Sequence, residues 1–192
     1  MKPCRLTSAG LIVQADGSSY PLPDVDAAEI LVPHLAPRVE TYELAGLGEI
    51  GVLIRYSCHC WTSKYDEALH NGVIRIMDRG RARAFDPARY AASLELPELM
   101  RDLPHKRIYA TRGDRNYGCY DASRRDADGL CYTAYFALKA RKGLCDAAPY
   151  SFRLFVESAY PKAQQEPGRA TSLRAILGRS RAGTEIGEEP ED

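Results

Sequence analysis

Apolar and polar positions alternate with a period of two along much of this chain, the mark of half-buried strands. Residues 5 to 22 read as a hairpin: Leu11, Ile12 and Val13 form an apolar run, and Asp16-Gly17-Ser18-Ser19 is turn chemistry. Asp26 to Leu35 reads as one short helix, with Asp24 or Asp26 as N-cap and Pro33 against a longer one. Val39 to Leu44 alternates as a strand, Ala45-Gly46-Leu47-Gly48 turns, and Ile50 to Thr62 reads as one long strand rich in β-branched and aromatic residues. Period two then puts Tyr56, Cys58, Cys60 and Thr62 on one face, and Arg55, Ser57, His59 and Trp61 on the other.

After a short loop or helical turn over residues 65 to 71, Val73 to Met77 and Ala82 to Phe85 read as paired strands around Asp78-Arg79-Gly80. Asp86 followed by Pro87 is a strong helix start, since the proline's missing N–H costs nothing at the first helical position. The helix is predicted over Pro87 to Leu94, with a second piece at Leu99 to Leu103. Strands follow at Arg107 to Arg112, Tyr117 to Asp121, Leu130 to Lys139 and Phe152 to Tyr160, with loops over residues 123–129 and 143–149. Short turns between consecutive strands favour antiparallel pairing. The fold class is therefore α+β: a mainly antiparallel sheet with one or two short helices. Residues 1–161 form a single globular domain. Residues 162–192, polar and poor in apolar positions, read as a flexible tail with a transient helix at Leu173 to Leu177.

Composition narrows the classes. At 192 residues and 45% hydrophobic, the chain suffices for one real core and is short for two. No apolar run reaches the ~20 residues of a membrane helix, and the first residues lack a secretory h-region, so no membrane is expected and the expected location is cytoplasmic. Six cysteines without any C-x-x-C pair are expected to stay reduced. Net charge is zero, but residues 75–153 carry 16 Lys and Arg against 10 Asp and Glu between more acidic flanks. That excess is compatible with an anionic partner such as RNA, or with an ordinary solvated surface.

Three constellations carry candidate chemistry. Cys58-His59-Cys60 raises a metal: Cys58 and Cys60 share a face and could ligate zinc with Cys119, Cys131 or His70. The competing reading is two packed thiols and a histidine on the opposite face, so no cofactor is expected, and His59 is the candidate acid/base group. Second, Arg112, Arg115 and Asn116 stand beside Tyr117 and Tyr120, and such arginines can clamp a phosphate while a tyrosine stacks a base. Arg112 is assigned to phosphate stabilisation; Arg115, Asn116 and Tyr117 are assigned to substrate binding. Third is the terminal strand, Phe155-Val156-Glu157-Ser158-Ala159-Tyr160-Pro161.

That last segment resembles the closing strand of the small ribonuclease-toxin fold shared by barnase-like, EndoU-like, colicin-like and RelE-like nucleases. The helix-then-strands order from Pro87 to Pro161 is similar too. The resemblance implies a metal-independent ribonuclease of toxin type, with Ser158 and Tyr160 lining the site and an upstream histidine, here His59, as acid/base. It also implies RNA as substrate and an inhibitory partner protein. A non-catalytic nucleic-acid- or protein-binding module and a zinc-stabilised structural domain stand beside it as alternatives.

Overall fold

The computed structural model describes residues 4–6, 12–14, 24–71, 73–111, 117–125, 129–163 and 168–184. In chain order the strands are β1 (Cys4–Leu6), β2 (Ile12–Gln14), β3 (Asp24–Asp26), β4 (Ile30–Leu31), β5 (Arg38–Leu44), β6 (Gly48–Tyr56) and β7 (Thr62–Lys64). Then come helix α1 (Glu67–His70), β8 (Arg75–Asp78), β9 (Arg81–Phe85), α2 (Pro87–Ser93) and α3 (Leu96–Arg101). The chain goes on through β10 (Arg107–Ala110), β11 (Tyr117–Arg125), β12 (Cys131–Cys145), β13 (Ala148–Lys162), β14 (Arg169–Thr171) and α4 (Leu173–Thr184). Short helices on a dominant sheet make this an α+β protein, as the strand pattern predicts.

The main sheet has seven strands in the order β14-β10-β11-β12-β13-β6-β5. Every pairing in it is antiparallel except β13 with β6, which is parallel and sets Val156 opposite Tyr56. A four-stranded sheet, β3-β8-β9-β7, and a three-stranded sheet, β2-β1-β4, flank it. Ile50, Val52 and Ile54 of β6 and Phe152, Leu154 and Val156 of β13 are buried, with Leu96 and Met100 of α3 in the same core.

Several elements differ from the sequence reading for local reasons. Residues 26–35 are not one helix. Two 3-10 turns bracket β4, because Ile30 and Val32 are both buried in alternation and β4 pairs in parallel with β1. β12 and β13 run to fifteen residues each and meet in a two-residue turn, Asp146-Ala147, where a loop over 143–149 was expected. Both turn residues have positive φ, the geometry that lets a tight hairpin follow the strand twist, without the glycine that usually announces it.

The largest difference lies in the assigned tail. β14 pairs with β10, and Leu173, Ile176 and Leu177 of α4 are fully buried in the main core. Residues 169–184 therefore belong to the fold, and the 162–192 tail is corrected over that stretch. The acidic end beyond 184 lies outside the described residues.

Candidate functional site

β6 stops at Tyr56, where its pairing with β13 ends. Ser57 N–H still donates to the Val156 carbonyl at 2.9 Å, so the chain stays at the edge of β13. The Ser57 hydroxyl then accepts from His59 N–H at 3.2 Å, capping a 3-10 turn over Cys58–Cys60. A serine that offers its own oxygen to the next turn competes with a continuing strand. Thr62 Oγ1 donates to the Cys58 carbonyl at 2.7 Å and fastens the other end.

Three residues per turn send consecutive side chains about 120° apart, where a strand would alternate them. The expected division of faces is therefore corrected. Cys60 is fully buried, its sulfur 4.0 Å from the Val156 carbonyl. Cys58 and His59, expected on opposite sides, both line one cleft of about 580 Å³ with Asp26, Tyr56, Arg79 and Glu157. Cys58 and Cys60 are not a ligand pair.

His59 Nε2 lies 2.9 Å from Asp78 Oδ2. Asp78 ends β8 opposite Arg81, and Arg79-Gly80 makes a two-residue turn with φ of 49° and 79°. The same tight turn that aims Asp78 at the imidazole puts Arg79 in the cleft wall. Cys58 Sγ, a ring nitrogen of His59 and a carboxylate oxygen of Asp78 lie within 4.8 Å of one another. One thiol, one imidazole and one carboxylate at that spacing is a donor set for a borderline-soft divalent metal.

Burial lowers the His59 pKa and the nearby Arg83 guanidinium lowers it further, while Asp78 pulls it back. The result is an imidazole held neutral near pH 7, with a lone pair to offer a metal or a proton. Burial and then Asp78 raise the Cys58 thiol, so it is protonated without a metal to displace the proton. Two cations brace the frame. Arg83 donates to Thr62 Oγ1 at 2.6 Å and to the Thr62 carbonyl at 2.9 Å. Arg89 donates to the carbonyls of His59 and Thr62 at 3.3 and 3.2 Å.

The other expected site residues are scattered. The Arg89 guanidinium lies 5.0 Å from the Tyr160 ring centroid, and the same guanidinium donates to the His59 carbonyl. Ser158 does not line the His59 cleft. Its position follows from a bulge: Tyr135 pairs with Ser158 but Phe136 with Val156, leaving Glu157 extra. That one residue shifts the alternation, so Ala159 is buried and Ser158 and Tyr160 turn away from the core face. Tyr117 heads β11 with its ring centroid 5.7 Å from that of Phe136, three strands from β6 and so roughly 15 Å across the sheet. Arg112, Arg115 and Asn116 lie outside the described residues, as does the side chain of Tyr120. Asp78 is the member of this cluster that sequence reasoning missed. It sits nineteen residues from His59 in a segment that reads only as a turn.

The sequence profile of the YjaZ family matches residues 23–180, which takes in both β13 and the His59 turn. The protein YjaZ of Escherichia coli (strain K12) is 26% identical over 164 residues, covering 82% of this chain and 85% of that one. No solved structure matches the chain.

Proposed function

We propose a function for a chain that belongs to the YjaZ family: a hydrolytic centre built on one zinc-class metal ion held by Cys58, His59 and Asp78. The observation that carries the reading is the approach of those three donor atoms to within 4.8 Å in the wall of an open cleft. Three protein ligands beside open space is the format of catalytic zinc, where structural zinc is closed by four. Such an ion supplies Lewis acidity and lowers the pKa of a water that it holds. The residues of the chain do the rest. The 3-10 turn fixes Cys58 and His59, the β8–β9 turn fixes Asp78, and Arg79 offers a cation to an anionic ester in the same cleft. A phosphodiester is the first substrate class to try.

The test is elemental analysis of protein purified without chelator, combined with hydrolysis of a nitrophenyl phosphodiester. The expected result is about one zinc per chain, with activity lost to a chelator and restored by zinc. Protein that neither carries nor takes up a divalent metal would end the reading.

A second reading keeps the metal-independent ribonuclease. The observation favouring it is the His59 Nε2–Asp78 Oδ2 hydrogen bond, which orients a neutral imidazole as a general base. The resemblance of residues 155–161 to the ribonuclease-toxin strand adds to it. RNA cleavage that persists in excess chelator and disappears in His59→Ala selects this reading over the first.

A further inference from the structure

The segment expected to be a tail builds a second cleft, of about 390 Å³, at the β14 edge of the main sheet. Ala110, Tyr117, Arg169, Thr171, Arg179 and Ser180 line it. Four elements meet there: β10, β11, β14 and α4. β14 runs antiparallel to β10 with Arg169 opposite Ala110. Gly168 makes that approach possible, because a Cβ there would collide with the Ala110 carbonyl oxygen. The helix α4 anchors itself through Leu173, Ile176 and Leu177, and this leaves Arg179 exposed over β14. Arg179 Nη2 donates to Thr171 Oγ1 at 3.3 Å, which sets the guanidinium at the cleft.

Among the described residues, no carboxylate lines this cleft. Neither Arg169 nor Arg179 makes an ion pair among the described residues, whereas Arg38, Arg75, Arg89 and Arg101 each have one. Two guanidinium groups lining one cleft, with no acid partner among the described residues, repel each other, and a bound anion relieves that. Planar guanidinium donors match phosphate oxygens two at a time. Thr171 contributes a hydroxyl, and Tyr117 closes the wall with an aromatic ring.

We infer that this cleft binds a phosphate group, with Arg169 and Arg179 as its clamp and Thr171 and Tyr117 beside them. It is separate from the His59 cleft, sharing no lining residue with it, and the inference does not rest on the metal reading. The phosphate could belong to a free nucleotide or to the end of an oligonucleotide, since the clamp chemistry is the same.

The experiment is calorimetric titration of the full chain with inorganic phosphate, AMP, and a short oligonucleotide with and without a 5′-phosphate. Binding of the phosphate-bearing probes is expected, weakened about tenfold or more in Arg169→Ala and in Arg179→Ala. Both side chains are exposed, so the thermal transition of each variant stays near that of the wild type. Tighter binding of AMP points to a free nucleotide, and tighter binding of the 5′-phosphorylated oligonucleotide to a polymer end. Two outcomes overturn the inference: no heat from any phosphate probe at millimolar concentration, or binding that ignores both substitutions.

Discussion

At the scale of the residue, the site turns on Ser57. Its hydroxyl caps the turn that carries Cys58 and His59 into one cleft and buries Cys60. Losing such a cap costs about 1 kcal/mol. Ser57→Ala is therefore expected to lower the thermal midpoint by about 2–4 °C for a chain of this size, measurable by circular dichroism. The two cysteines should separate cleanly. Cys60→Ala removes a fully buried sulfur and should cost about 1 kcal/mol of stability while leaving metal uptake intact. Cys58→Ala should abolish uptake with little change in stability. His59 was legible in the sequence as the residue to test, because its type and its aromatic surroundings single it out. Its neighbours were not. Period-two logic separated it from Cys58, because nothing in Tyr56-Ser57-Cys58 announces that the backbone leaves the strand. Asp78 reads as a turn residue until β8 and β9 fold it back.

At the scale of the element, α4 is the test case. Its apolar residues are few, but Leu173, Ile176 and Leu177 fall at the i, i+3, i+4 spacing of one helix face. Composition outvoted that spacing and made the stretch a tail. Burying three aliphatic side chains is worth roughly 1.5–3 kcal/mol each, against a typical net stability of about 5–15 kcal/mol. A chain ending at Lys162 is accordingly expected to lose its cooperative urea transition; an unchanged midpoint would refute the placement of α4. Gly168→Val should act on β14 alone, loosening its pairing with β10 and raising amide exchange at Ile108 to Ala110. The bulge at Glu157 shows the opposite limit. An extra residue in a strand leaves no mark in the alternation of a short motif, so Ser158 and Tyr160 could not be assigned to a face from sequence.

At the scale of the whole molecule, the uneven charge finds part of its explanation in topology. Asp24 and Glu40 from the acidic first third pair with Arg75 and Arg101 from the basic middle. Local charge excess is thus partly cancelled by contacts that sequence distance hides. No helix among the described residues is long and apolar enough to cross a membrane. Stability should fail at high pH for an identifiable reason. Burial raises the pKa values of Tyr42 and Tyr132, and the Tyr42 hydroxyl is a proton donor, to the Met100 carbonyl at 2.6 Å. The folded state holds these phenols protonated, while the unfolded chain ionises them near pH 10. Below that pH the phenols are protonated in both states and stability does not depend on them. Above it the unfolded state binds fewer protons, and stability falls as pH rises. Tyrosinate absorbance should show these two phenols ionising together with unfolding, above the pH at which exposed tyrosines titrate.

The central claim is that Cys58, His59 and Asp78 form one metal site and Cys60 is outside it. Cobalt(II) titration tests it most directly, because a thiolate bound to cobalt absorbs in the near ultraviolet and an uncoordinated thiol does not. The wild type and Cys60→Ala are expected to develop that band at one cobalt per chain, and Cys58→Ala is expected to lack it. No thiolate band in the wild type, or a band kept by Cys58→Ala and lost by Cys60→Ala, would contradict the account.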